Sequence, residues 1–140
     1  MMDREGIMGI LPHRDPMLLV DRMEVDAEGA GHAWYTVPED PFYCRGHFPG
    51  NPIVPGVILC EIMAQSTCQL YPEVFADHLV VYRGMDGVKF RGVVKPGDTC
   101  EVTCTLQENK GSLYVCKASL AVDGKRCAEA QITLAATPKA

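Results

Sequence analysis

Several familiar kinds of chemical machinery are missing from this 140-residue sequence. No Cys-x-x-Cys pair occurs, so the ligand spacing of a structural zinc site is absent. There is no Gly-x-Ser-x-Gly elbow, no P-loop and no dinucleotide fingerprint. Positive charge is scarce: 13 Lys and Arg stand against 18 Asp and Glu, a formal net charge of −5. That balance argues against bulk nucleic-acid binding and leaves an acidic partner only a local basic patch to dock on. No apolar run is long enough to span a membrane, so insertion is not expected. The start, Met1-Met2-Asp3-Arg4-Glu5-Gly6, lacks a signal-peptide pattern, and a cytoplasmic location is the expectation.

What is present has ordinary globular composition, 47% hydrophobic and 22% charged, which allows a buried core. The length fits one domain over residues 1–140. The seven cysteines, Cys44, Cys60, Cys68, Cys100, Cys104, Cys116 and Cys127, are odd in number, and several fall at apolar positions of patterned segments. They read as reduced thiols packed as small hydrophobes. Nothing marks Cys44 or Cys60 as an activated nucleophile.

Along the chain, residues 3–11 predict a short helix stopped by Pro12. Residues 17–26 and 31–38 predict two antiparallel strands turning near Ala27 to Gly29. Residues 41–56, PFYCRGHFPGNPIVPG, are too rich in Pro and Gly for a regular strand or helix. Residues 57–70, VILCEIMAQSTCQL, predict a helix of about four turns. It is apolar on most sides and therefore buried. Pro55 suits its first turn and Pro72 helps end it. The remainder is strand-like. Residues 79–82 and 88–94 form two runs broken by Gly84 and Gly87. Cys100, Val102, Cys104 and Leu106 share one face. Tyr114, Cys116, Ala118, Leu120 and Val122 repeat the pattern, as do Ala128, Ala130, Ile132 and Leu134. Period two with one apolar face means half-buried antiparallel strands. Asn109-Lys110-Gly111 and Asp123-Gly124 mark the hairpin turns. The outline is an α+β domain in which a curved antiparallel sheet wraps one long buried helix.

Three residues stand out chemically. Glu61 sits in the second turn of the nearly all-apolar helix, where a carboxylate must be paired or protonated. The alternative is a place at the helix's solvent edge, near the favourable N-terminal dipole. Gln65, four residues on, can reach the same carboxyl group. His47 lies in the Gly/Pro-rich segment, where glycines permit close approach and prolines stiffen the loop; a turn histidine without a role would look the same. Gly56 begins the helix, where unpaired amides can meet a carbonyl that gains charge, or where a glycine simply permits tight packing. His13, Arg14, His32 and His78 read as structural or solvated.

Together these residues resemble a known family. Gly46-His47-Phe48-Pro49-Gly50-Asn51-Pro52-Ile53-Val54-Pro55-Gly56-Val57, followed by Glu61-Ile62-Met63-Ala64-Gln65, is similar to the signature of the 3-hydroxyacyl-acyl carrier protein dehydratases. Residues 11–22, LPHRDPMLLVDR, resemble that family's opening motif, and Gly84-Met85-Asp86, Lys89-Phe90-Arg91 and Pro96-Gly97-Asp98 resemble its later landmarks. The resemblance implies a hotdog fold and a homodimer, open to further assembly into a hexamer, with the catalytic histidine and acid supplied by opposite subunits. It implies His47 and Glu61 as the catalytic pair and Gln65 as the residue that positions the carboxyl group. It places Gly56 and the Phe48 backbone near the thioester carbonyl, and an acyl carrier protein as partner. It implies no metal or organic cofactor. Asp stands in place of Glu61 in the related dehydratase/isomerases, so isomerisation is not expected.

Those residue types suit the removal of water from a 3-hydroxyacyl thioester. Neutral His47 can take the C2 proton. Glu61 can protonate or orient the C3 hydroxyl, and protonating it asks for a raised pKa. Helix-start amides at Gly56 can stabilise the oxyanion. Lys89, Arg91 and Lys95, with Arg83, form either a carrier-docking patch or a solvated strand face. The sequence departs from the family where 42–46 is one residue longer, where Arg91-Gly92-Val93 lacks a proline, and over 75–82. Those departures bear on acyl-chain length and leave room for a specialised polyketide or polyene pathway. A hotdog thioesterase or a non-catalytic acyl-binding protein are the competing readings; neither explains the intact signature from Gly46 to Glu61.

Overall fold

The computed structural model describes residues 1–45 and 50–139. A two-residue strand β1 (Met2–Asp3) leads into helix α1 (Arg4–Met8), whose first turn is capped by the Asp3 carboxylate accepting from the Gly6 N–H. Strands β2 (Arg22–Val25) and β3 (Gly31–Thr36) follow, then the single turn α2 (Phe42–Arg45) and the long helix α3 (Gly56–Ser66). Four long strands complete the chain: β4 (His78–Phe90), β5 (Thr99–Lys110), β6 (Leu113–Val122) and β7 (Lys125–Pro138). Among the described residues seven strands form one antiparallel sheet in the order β1-β2-β3-β5-β6-β7-β4, and α3 packs against β3, β5, β6 and β7. This is the hotdog arrangement.

The alternation read from the sequence sets the inner face. Cys100, Val102 and Cys104 of β5, Cys116, Ala118 and Leu120 of β6, and Ala128, Ala130 and Ile132 of β7 are buried. Their registers place Cys104 beside Ala118 and Ala118 beside Ala130. The layer facing α3 is therefore largely small side chains, and the helix can lie close with Leu59, Ile62 and Met63 pressed into it. All seven cysteines are free and buried, four of them (Cys60, Cys100, Cys104 and Cys116) on this surface or in α3. Gly31 on β3 marks the closest approach. A Cβ there would lie 2.8 Å from Gln69 Nε2 and 2.9 Å from Cys104 Sγ. The Gln69 amide cannot swing away cheaply, because it donates to the carbonyls of His32 and Ser66.

Several elements differ from the sequence expectation. Residues 17–26 hold a strand only over Arg22–Val25; Leu18, Leu19 and Val20 are fully buried core residues in a non-ladder segment. Apolar content there signals burial, not pairing. The two runs around Gly84 and Gly87 are one continuous strand. Register shifts between Tyr82 and Gly84 and between Asp86 and Lys89 absorb the glycines as bulges, and the ladder with β7 continues. Within 41–56, α2 supplies one helical turn, held by Tyr43 Oη, which lies 2.7 Å from Tyr35 Oη. The helix beginning at Gly56 turns to 3-10 geometry over Thr67–Leu70, where Ser66 and Thr67 hydroxyls donate back to the Ile62 and Ala64 carbonyls. A shift between Leu106 and Glu108 carries the β5–β6 hairpin past its expected turn and leaves Leu106 exposed. The Asp123-Gly124 turn is as expected, with φ of 51° and 78°.

Gly31→Val should destabilise the protein by roughly 1–3 kcal/mol, because neither pinned Gln69 nor β5 can retreat. Urea unfolding measures it; an unchanged midpoint would show that the approach of helix to sheet is looser than these distances say.

Candidate active site

Glu61 lies one turn into α3, between the buried residues Cys60 and Ile62. Its side chain keeps 17% exposure, so little water reaches the carboxyl group. Donors from three separate parts of the chain replace that water. Gln65 Nε2 donates to Oε2 at 2.8 Å. The Tyr82 hydroxyl, from β4, donates to Oε1. His13 Nε2, from the loop after α1, lies 3.4 Å from Oε2. A carboxylate only accepts, so His13 presents an Nε2–H to it. Its Nδ1 is buried and has no partner among the described residues.

Gln65 is fixed in turn. Its Oε1 accepts from the Leu19 N–H at 2.8 Å, and its Nε2 donates to the Met17 carbonyl at 2.8 Å. A backbone N–H can only donate and a carbonyl only accept, so the amide has one orientation, with its nitrogen toward Glu61. The buried segment 17–20 thus serves the site: it locks the residue that aims the carboxylate.

Burial pushes the Glu61 carboxyl group upward, but the hydrogen bonds from His13, Tyr82 and Gln65 outweigh it. The net position is below the ordinary 4.5. This corrects the raised value asked of a proton donor. In the resting protein Glu61 is an ionised acceptor. Three donors, two of them invisible to local periodicity, decide the sign.

Two hollows meet at this carboxylate. Inward, Leu11, Tyr71, Phe75, Val80 and Leu134 enclose a small apolar space of about 50 Å³. Outward, Val57, Cys60, Arg83, Gly84 and Met85 line an open groove of about 370 Å³. Glu61 and Tyr82 belong to both walls. A separate cavity of about 410 Å³ lies by Tyr35 and Tyr43. There Arg4 is paired with Asp15 and Asp21, Arg45 with Asp40, and the two tyrosines with each other, so its polar groups are engaged.

The other expected residues are placed as follows. His47 and Phe48 lie outside the described residues. Gly56 begins α3, and the Phe90 ring sits over it; a Cβ would lie 2.8 Å from Phe90 Cζ. The Ile58 and Leu59 amides return to the Pro55 carbonyl, which leaves the Gly56 and Val57 amides ahead of the first bonded turn. Arg91 Nε donates to Glu129 at 2.5 Å, so part of its charge is engaged, while Lys89 faces Glu129 in the β4–β7 register. The Lys95 backbone belongs to the turn closed by Asp98. Sequence reading missed His13, taken as structural, and Tyr82, taken only as a strand residue. His13 carried a signal, since it lies in the 11–22 motif; Tyr82 carried none.

The sequence model of the ApeI-like family, described as ApeI dehydratase, matches residues 24–130. The 3-hydroxyacyl-[acyl-carrier-protein] dehydratase FabZ of Latilactobacillus sakei is 40% identical over 136 residues, covering 95% of this chain and 97% of that protein. Its counterpart in Streptococcus pneumoniae serotype 4 is 41% identical over 138 residues, covering 96% and 98%. Among solved structures, the dehydratase heterocomplex ApeI:P of Xenorhabdus doucetiae superposes with a TM-score of 0.77 at 19% identity, covering 95% of this chain and 91% of that one. That likeness shows the fold.

The depressed Glu61 pKa has a stability consequence. Its contribution is fully present above the ordinary 4.5 and is lost as pH falls through the lower folded value. The stability of the native protein minus that of Glu61→Gln should therefore decline as pH is lowered below about 5. Urea midpoints across pH 3 to 7 test this; a difference independent of pH contradicts the hydrogen-bonded carboxylate.

Proposed function

The chain belongs to the family of FabZ-type 3-hydroxyacyl-[acyl-carrier-protein] dehydratases, and we propose that it catalyses that family's reaction in fatty acid biosynthesis. A (3R)-3-hydroxyacyl chain, carried on the phosphopantetheine arm of an acyl carrier protein, loses water to give the trans-2-enoyl thioester. The observation that carries this reading is the Glu61 carboxylate, held by three donors where an open groove meets an apolar hollow.

In this proposal neutral His47 takes the C2 proton. The C2–H electron pair forms the C2=C3 double bond while the C3–O bond breaks. Glu61, ionised in the resting protein, accepts the hydrogen bond of the C3 hydroxyl and aims it. The proton gained by His47 passes to the departing hydroxide, giving water and restoring the neutral imidazole. The Gly56 amide, with the Phe48 backbone, stabilises the thioester oxyanion, for which the start of α3 is suited. The acyl chain extends past Glu61 along the apolar walls.

The assembly proposed is a homodimer, open to further association as a hexamer. β4 is an outer strand of the sheet, bonded among the described strands only to β7, and Leu79 and Val81 on it are exposed. Such an edge favours pairing with a second copy. In this arrangement His47 of one copy meets Glu61 of the other. Lys89, Arg91 and Lys95 are proposed to receive the acidic carrier protein in the cytoplasm.

The test is incubation with 3-hydroxybutyryl and longer carrier-protein thioesters, following enoyl thioester and free thiol together. Enoyl product without thiol release is expected. Glu61→Gln and His47→Ala should each lose about 100-fold or more in turnover. Near-normal turnover by His47→Ala, or thiol as the main product, would sink the proposal.

A further inference from the structure

Among the donors to Glu61, Tyr82 has a distinctive position. Gln65 is on the same helix and is locked to the Leu19 and Met17 backbone. Tyr82 reaches across from β4, with its ring on the wall shared by groove and hollow. It follows Val80 on the inward face of the strand, and a bulge comes directly after it. That bulge bends the strand where the ring meets the carboxylate. Nearly half of the Tyr82 surface is exposed, at 46%. The hydroxyl is the shielded end of the side chain, desolvated by its surroundings, and it is given to Oε1.

The titratable and charged groups around the carboxylate are His13 from the loop, Cys60 from α3, Tyr71 beyond it, and Tyr82 and Arg83 from β4. His13 and Tyr82 are the two that bond to it, on opposite oxygens. His13 and Gln65 share Oε2, and Tyr82 alone of these three holds Oε1. Without Tyr82, Oε1 would face the groove unrestrained.

We propose that Tyr82 is a positioning residue for the dehydration: its hydroxyl holds Glu61 Oε1, keeping the carboxylate charged and turned toward the groove where the substrate's 3-hydroxyl meets it. This rests on the dehydratase reading above. Tyr82 touches no reacting atom; it acts through Glu61. A hydrogen bond to the charged form favours that form, so its loss raises the proton affinity of Glu61. Because the ring is half exposed and phenylalanine fills the same space, the protein still folds, and the effect falls on the carboxylate and on the stability its charge supplies.

Tyr82→Phe tests it in two ways. The first needs no activity. The protein is labelled with 13C at glutamate carboxyl groups, and the Glu61 signal is assigned by its absence from Glu61→Gln. Its titration midpoint should rise by about one pH unit in Tyr82→Phe, the size expected for losing one hydrogen bond to a charged acceptor, with the thermal midpoint of unfolding at pH 7 lowered only by the roughly 3–5 °C that the same shift implies. The second is kinetic: kcat at pH 7 should fall about three- to tenfold with KM within about twofold of native. A Glu61 midpoint that does not move overturns the proposal whatever the kinetics show. Failure of the native protein to form any enoyl thioester would overturn the dehydratase reading instead, and the titration would still decide whether Tyr82 holds the carboxylate.

Discussion

A single carboxylate set into an apolar helix constrains much of this structure. Glu61 has lost most of its water, and an ionised group in that position is affordable only with donors in place of water. No one segment supplies them. Gln65 comes from the helix, His13 from the loop after α1, and Tyr82 from the far edge of the sheet. Each must be held in turn, and the holding accounts for features that otherwise have no local explanation. The buried, unpaired segment around Leu18 to Val20 presents one N–H and one carbonyl that fix the Gln65 amide. The bulge after Tyr82 turns the strand where its hydroxyl meets the helix.

The same constraint explains the composition of the sheet. For donors on both sides to reach Glu61, α3 must lie deep in the curve of the strands. Cysteine and alanine at the facing positions of β5, β6 and β7 let it do so, and Gly31 admits the end of the helix where no side chain would fit. The thiols are part of this spacing. Burial raises the pKa of Cys68, Cys100 and Cys104 to about 12, so they behave as small apolar groups. Gly56 shows a similar economy at the other end. The Phe90 ring covers it, and the amides beside it precede the first bonded turn. A glycine here answers the packing and leaves the helix start open to a ligand.

How much of this was legible in the sequence depends on how local the signal is. Period-two alternation over β5, β6 and β7 and the unbroken apolar run of α3 are local, and they specified the helix-in-sheet outline. Glu61 and Gln65 were legible because a charge and an amide four residues apart stand out in an apolar helix. The partners from elsewhere were not. Tyr82 looks like any aromatic strand residue, and only the fold of β4 against β7 brings it to Glu61. His13 lay in a recognisable motif, but its contact with Glu61 lies 48 residues along the chain. The run at 17–20 was misread as a strand because burial and pairing leave the same apolar mark. The pKa direction failed for the same reason: the apolar setting of the helix is visible in sequence, and the donors that overturn it are not.

The most direct measurement is a crystal structure of the protein with a non-hydrolysable 3-hydroxyacyl pantetheine analogue. The account predicts the C3 oxygen within hydrogen-bond distance of Glu61, the acyl chain against Tyr71, Phe75 and Leu134, and the pantetheine arm in the groove beside Val57 and Met85. An analogue lodged instead beside Tyr35 and Tyr43, with Glu61 still bound to all three of its donors and untouched by ligand, would contradict it.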